Sequence, residues 1–294
     1  MALRDIDVNL YDQARLKQLF GPFERAPKGQ LPGRVEHELV GESYLRILRD
    51  TSQLIAHQWR AHLQDSAVKG FLFHGGVGIG KTAMAKRLAY ELGAIFGGKG
   101  VQKKGEPQDE VVLVLVDGAD IARGRYGDSE ERLAELFDYA REGEGLSHRF
   151  GGGAGHSHAG ETVRRTVLLF DDVESLFLTR SSAGAKEWHF SQNSVFFHSI
   201  DELDTSHIAV VLTTNRNDLL DEAIIDRFVV YEFGAPAPDV LIEVARERAK
   251  KQRLGEDALA PILDRIREDQ SIRSIREVER LVTRAYVASV IGKS

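Results

Sequence analysis

Residues Gly75-Gly76-Val77-Gly78-Ile79-Gly80-Lys81-Thr82 spell G-x-x-x-x-G-K-T. That spacing is suited to holding phosphate. Glycines let the backbone turn its N–H groups inward around phosphate oxygens. Lys81 brings a cation to the β- and γ-phosphates of a nucleotide, and the Thr82 hydroxyl can ligate Mg²⁺. Ala83 opens the helical pattern Ala83–Leu92, whose N-terminus adds its dipole to the site. Gly70-Phe71-Leu72-Phe73-His74, just before the loop, reads as a buried strand. A strand, this loop and a helix in that order set the segment apart from a chance glycine-rich turn.

Three more segments carry groups that could complete a hydrolytic site. Thr166–Phe170 reads as a buried strand and runs into Asp171-Asp172. Asp171 is placed to hold Mg²⁺, directly or through water. Asp172 is placed to orient and polarise an attacking water. The alternative is a pair of acids capping a helix, which needs no catalysis; the phosphate loop upstream favours the catalytic reading. The strand His207–Thr213 ends in Thr214-Asn215-Arg216. Asn215 can hold the water and report on the γ-phosphate, or can serve only as a turn residue. Arg227, in Asp226-Arg227-Phe228, can lie at a subunit edge and reach a neighbour's ATP as an arginine finger. Its alternative is a local ion pair with Asp226. Arg273 opens the final helix and can touch the γ-phosphate, with Arg276 one turn further on as the competing choice. Val40 and Gly41 are further expected nucleotide contacts. ATP and Mg²⁺ are the expected cofactors.

The elements that must position these groups alternate. Strand-like runs fall at Gly70–His74, Val111–Val116, Thr166–Phe170, His207–Thr213 and Phe228–Phe233, with helical patterns between most of them. This predicts an α/β fold: a five-stranded parallel sheet flanked by helices on both faces. Ligands of such sheets bind at the C-terminal ends of the strands, where Gly75–Thr82 lies. Gly234-Ala235-Pro236-Ala237-Pro238 breaks the alternation, and only helices follow, at Asp239–Arg253, 257–268 and Ile272–Ile291. The expected organisation is an N-terminal arm over 1–36, an α/β nucleotide-binding domain over 37–235 and a helical lid over 236–294. The arm holds one short amphipathic stretch, Tyr11–Phe20, and is too short to form a separate substrate-recognition domain. His37–Leu63 reads as helical. The glycine-rich run 151–160 carries His156 and His158, with His148 nearby. It reads as a mobile loop, because a glycine-rich backbone must first be ordered before it can hold a metal.

Composition narrows the class. Of 294 residues, 42% are hydrophobic and 29% charged, as in a soluble globular protein. No apolar run approaches the ~20 residues of a membrane span, and Met1–Asp7 does not read as a signal peptide. The chain has no cysteine, which excludes disulfides and thiolate metal sites and fits a cytoplasmic location. The net charge of -6 argues against a general electrostatic grip on nucleic acid but leaves room for a local basic patch.

With these segments in hand, residues 37–292 resemble the AAA+ ATPases. Within that superfamily the chain is most similar to the pachytene-checkpoint ATPases, which remodel HORMA-domain proteins, and to their bacterial relatives. The likeness is carried by Leu169-Phe170-Asp171-Asp172-Val173-Glu174-Ser175-Leu176, Val211–Asn215, Ala223–Arg227 and Ser271–Arg276. It implies a homo-oligomeric ring, a hexamer in most of the family, with ATP between subunits. It also implies a substrate pore loop at Arg125-Tyr126-Gly127, whose aromatic grips an extended polypeptide. Three departures stand out, one being Gly76-Val77 where the family commonly has a proline-containing pair, which changes loop stiffness more than chemistry. Arg125 occupies the position of the gripping aromatic, with Tyr126 after it. Asp172 replaces a Glu and is shorter by one methylene, which would place the water less well.

Three functions compete. The first is an ATP-dependent ring that threads or partly unfolds a protein client, with a HORMA-domain protein as the client the resemblance implies. The second is an ATP-dependent scaffold or switch on nucleic acid, suggested by Arg123 and Arg125 and by the short Asp172, and opposed by the acidic net charge. The third is an activase that frees a metabolic enzyme from a tight inhibitor. No membrane partner is expected.

Overall fold

The computed structural model describes residues 8–20, 41–96, 110–117, 121, 128–141, 164–176, 187–216, 218, 220 and 222–291. The apolar runs Val167–Phe170 and Ile208–Leu212 become central strands, as expected for strands buried on both faces. The strands are β1 (Val8–Tyr11), β2 (Gly70–Gly75), β3 (Glu110–Asp117), β4 (Arg164–Asp171), β5 (Ile208–Thr214) and β6 (Val229–Phe233). They form one sheet in the order β1-β3-β4-β5-β2-β6. All pairings are parallel except β1 with β3. The two central strands, β4 and β5, are buried over almost their whole length.

The helices are α1 (Gln13–Phe20), α2 (Glu42–Arg60), α3 (Lys81–Phe96), α4 (Asp128–Arg141), α5 (Glu187–Asp201) and the short α6 (Glu222–Ile225), followed by α7 (Pro238–Gln252), α8 (Glu256–Glu268) and α9 (Ile275–Ile291). Strand alternation sends side chains to two cores. Leu168 and Phe170 join Phe137 of α4 and Phe196 of α5 on one face. Val167 and Leu169 join Trp59 of α2 and Met84 and Leu88 of α3 on the other. The chain leaves the sheet at Phe233 and builds a third core from α7, α8 and α9, around Leu241, Ile262, Val278 and Val282. The Arg248–Glu279 ion pair, at 2.8 Å, ties α7 to α9.

The sheet has one strand more than expected. Val8-Asn9-Leu10-Tyr11 adds to β3 as an antiparallel edge, with Val8 opposite Val116 and Tyr11 opposite Leu113. The helix after it is also built into the fold: Leu16 and Phe20 are buried in the core beneath α2 and α3. Gln13 Nε2 donates to the carbonyls of Ala89 and Val111 at 3.2 and 2.7 Å. This first segment therefore covers an otherwise open sheet edge. Four residues are too few to show a strand period by themselves. The pore-loop residues Arg125, Tyr126 and Gly127, the histidines 148, 156 and 158, and Val40 lie outside the described residues.

Candidate active site

The loop from β2 to α3 sits at the C-terminal edge of the sheet. Gly75 has φ of +143°, and a β-carbon there would run into the Phe233 carbonyl of the neighbouring strand β6. Gly78 has φ of +74° and faces the lid: a β-carbon would lie 2.7 Å from Cβ of Arg276. Both positions therefore call for glycine. Ile79 is buried beneath the loop, Val77 is exposed at its crest, and Gly76 and Gly80 complete the turn. Tyr44 of α2 fixes the loop from below, donating to the Ile79 carbonyl at 2.8 Å. Burial pushes the Tyr44 hydroxyl up to about 12, so it stays protonated and keeps donating. Gly41, one residue before α2, has φ of +101° and packs against Val240 of α7.

Lys81 opens α3 and is only 6% exposed. Its ammonium donates to the carbonyls of Gly75 and Gly76 at 2.9 and 2.8 Å and to Asn215 Oδ1 at 2.8 Å. These three bonds match the three protons an ammonium has to give. Burial lowers its proton affinity, while the charges of Asp172, Asp171 and Glu174 support the cation. Thr82 donates to both carboxylate oxygens of Asp171, at 2.8 and 3.0 Å. Ala83 lies half-buried in the same first turn of the helix.

The ends of β4 and β5 meet over this point. Their paired register stops at Phe170 opposite Leu212. Beyond it, side chains take over from the ladder. Thr213 donates to Asp171 and accepts from the Asp172 backbone N–H at 3.1 Å. Asp172 is in the left-handed region, φ 52° and ψ 53°, before a 3₁₀ turn at Val173–Ser175. That conformation is uncommon for a non-glycine residue and recurs at functional sites. It brings the Asp172 carboxylate to Asn215, whose Nδ2 donates to it at 2.8 Å. Burial and the charges of Asp171 and Glu174 raise the Asp172 carboxyl above its ordinary range; Lys81 and the Asn215 amide offset part of that rise.

The structure thus brings together Lys81, Thr82, Asp171, Asp172 and Asn215, which the sequence placed in one site. A hydroxyl and a carboxylate side by side are the hard oxygen donors that suit Mg²⁺. Among the described residues no group of three or more His, Asp or Glu side chains forms a metal cage. One or two protein oxygens completed by phosphate oxygens is the usual way Mg²⁺ is held.

The arginines are arranged differently. Arg227 does not pair with Asp226: its guanidinium is bidentate to Asp201 of α5, at 2.8 and 3.1 Å, and lies over the Phe197 ring. The guanidinium holds the Asp201 carboxyl below the usual carboxylate range. From the lid, Arg273 and Arg276 both line a cleft with Gly76, Val77 and Ile79. Arg276 is the closer to the loop, its backbone N–H donating to the Gly78 carbonyl at 3.2 Å. Arg273 Nε donates instead to the Gln270 carbonyl at 3.0 Å. Ser274 and Glu277 form a capping box, which fixes the start of α9. Tyr44 and Glu174 were not singled out as site residues from the sequence. Glu174 lies inside the acidic string Asp171–Glu174, so a signal existed; Tyr44 carried none.

Residues 71–234 match the family described as ATPase family associated with various cellular activities (AAA). That span runs from β2 to the end of β6 and contains Lys81, Thr82, Asp171, Asp172 and Asn215, and the chain belongs to this AAA family of ATPases. The proteasome-associated ATPase of Salinispora arenicola (strain CNS-205) is 26% identical over 219 residues, 69% of this chain and 33% of the relative. The AAA ATPase forming ring-shaped complexes of Corynebacterium efficiens is 28% identical over 218 residues, 69% of this chain and 36% of the relative. The chain thus spans about a third of the length of these curated relatives. A chain of the solved E. coli MS115-1 HORMA:CdnC:Trip13 complex superposes with a TM-score of 0.60, covering 95% of this chain and 88% of that one. At 16% identity this likeness is one of fold. No described helix is long and apolar enough to cross a membrane.

Proposed function

We propose that this chain hydrolyses ATP as one subunit of a homo-oligomeric ring, a hexamer, and uses the cycle to remodel a protein client. The observation that carries the hydrolytic half is the cluster Lys81, Thr82, Asp171, Asp172 and Asn215, held together across three strand ends by bonds of 2.8–3.1 Å. In this reading Lys81 would take the β- and γ-phosphates, exchanging bonds it makes to protein oxygens. Thr82 and Asp171 would hold Mg²⁺, whose chemistry is to neutralise charge developing on the phosphate oxygens. Asp172 accepts the proton of the attacking water, and Asn215 holds that water against it. Arg227 would leave Asp201 to serve the neighbouring subunit's site. Arg273, or Arg276 beside the loop, reports on the γ-phosphate from the lid.

The ring is supported by the ring-forming relative, and the client class by the fold likeness to a chain of a HORMA-containing assembly together with the string Asp172–Leu176. A HORMA-domain protein is the client this reading names. The test is the ATPase rate of the purified chain alone, with an unfolded polypeptide or a HORMA-domain protein, and with single- or double-stranded DNA. Stimulation by polypeptide supports the remodeller. Stimulation by DNA alone, falling steeply with salt, contradicts it and favours the nucleic-acid scaffold.

A further inference from the structure

Glu174 is the one acid of the Asp171–Glu174 string that the hydrolytic scheme leaves without a task. It sits half-buried in the 3₁₀ turn after Asp172 and reaches across to the end of β5. Its Oε2 accepts from the Thr214 hydroxyl at 2.8 Å. Its Oε1 accepts from two groups of Asn215, the backbone N–H at 3.4 Å and side-chain Nδ2 at 3.3 Å. Thr214 is fully buried, and its oxygen in turn accepts from the Arg216 N–H at 3.0 Å. Among the described residues each group that hydrogen-bonds to Glu174 is therefore a donor, and only a group that accepts with both oxygens satisfies them all.

This matters for the orientation of Asn215. Its two amide ends are chemically opposite: Oδ1 accepts from Lys81, while Nδ2 donates to Asp172 and Glu174. If the amide flipped, Oδ1 would face two carboxylates and Nδ2 would face an ammonium. Lys81 is the partner that must turn to phosphate during the cycle. Asp172 is the partner that must turn to water. Glu174 faces no reacting group in this scheme, so its bonds to Asn215 can persist throughout.

We propose that Glu174 is a positioning residue: through Thr214 and Asn215 it fixes the end of β5 and keeps the Asn215 carboxamide with its nitrogen toward Asp172. The proposal rests on the reading of Asn215 as the residue that holds the attacking water. Glu174 is not a catalytic residue, since it acts only through Asn215.

The experiment compares steady-state kcat with the dissociation constant of a fluorescent ATP analogue for the wild type, Glu174→Ala, Glu174→Gln, Asn215→Ala and the Glu174→Ala/Asn215→Ala pair. Loss of the outer-shell partner of a metal ligand typically costs about 10- to 100-fold in activity, and the same range is taken for the partner of Asn215. We expect that fall in kcat for Glu174→Ala with nucleotide affinity retained. Glu174→Gln keeps the shape but turns one acceptor into a donor, so its kcat should fall between the two. It also serves if the alanine variant fails to fold. The double variant should be no slower than Asn215→Ala, because residues that act as one unit are not additive. The proposal is overturned if kcat is unchanged in both Glu174 variants, if affinity falls in step with kcat, or if the double variant shows the product of the two single losses. Wild-type activity in Asn215→Ala sinks the reading of Asn215 and this proposal with it. A slow Asn215→Ala beside fully active Glu174 variants sinks the proposal alone. A wild-type chain without hydrolysis overturns both.

Discussion

Lys81 Nζ donates to Asn215 Oδ1 across 2.8 Å, joining the first residue of α3 to the residue that follows β5. The bond links the loop that would hold phosphate to the segment that would hold water. A change at the phosphate therefore reaches the β5 end through a single contact.

The first consequence concerns binding. Lys81→Ala removes a buried cation that bonds the loop's carbonyls. Hydrogen bonds to charged groups are worth about 1.5–3 kcal/mol each, so nucleotide affinity should fall by about 10- to 100-fold or more. Titration with a fluorescent ATP analogue checks this. Unchanged affinity would show that the loop backbone alone holds the nucleotide.

Asp172 carries a stability signature as well. Burial and two neighbouring acids raise its carboxyl above the ordinary range. A carboxyl raised in the folded chain binds its proton more tightly there than in the unfolded chain. Its ionised form therefore costs stability above the raised value, and the cost disappears as pH falls through it. Asp172→Asn removes that charge. In Mg²⁺-free, nucleotide-free buffer near neutral pH, its melting temperature should equal or exceed that of the wild type, and the difference should shrink on acidification. A clear drop in melting temperature would instead make Asp172 a stabilising partner of Asn215.

Gly78 is a backbone requirement against the lid. Alanine there would carry a left-handed conformation costing about 1–2 kcal/mol and would press its methyl on Arg276, whose Cβ lies 2.7 Å from that position. Gly78→Ala should lower both the melting temperature and nucleotide affinity. A variant with wild-type values in both would show that loop and lid are not in contact in solution.

Arg227 separates a local role from one in trans. Its pair with Asp201 is partly exposed, and exposed ion pairs contribute about 0–1 kcal/mol. Arg227→Ala should therefore melt close to the wild type and bind ATP, yet fail to hydrolyse it, and should poison rings when mixed with wild-type subunits. Full hydrolysis by the variant would leave Arg227 with a local structural role.

Much of this arrangement was legible in the chain. The four glycines and Lys81-Thr82 fix the loop because few residue types can take its backbone or reach its phosphates. Thr166–Phe170 and His207–Thr213 announce themselves by the apolar runs Val167–Phe170 and Ile208–Leu212, the pattern of strands buried on both faces. Val8–Tyr11 does not, because an edge strand of four residues takes its shape from pairing with β3 rather than from its own period. The local partner that the sequence offered Arg227 as the alternative to a role in trans, Asp226, is replaced in the fold by Asp201, a contact that only the packing of α5 supplies. The place of Arg276 beside Gly78, ahead of Arg273, likewise depends on how α9 docks on the loop.

The central claim is that Asp172 and Asn215 drive hydrolysis at a site built by Lys81, Thr82 and Asp171. The most direct measurement follows ATP and ADP, bound and free, after mixing wild type and Asp172→Asn with ATP and Mg²⁺. The account predicts that the wild type accumulates ADP while the variant keeps ATP bound and unhydrolysed, since removing a general base costs about 10²- to 10⁴-fold in rate. Equal ADP production by the two proteins would contradict it.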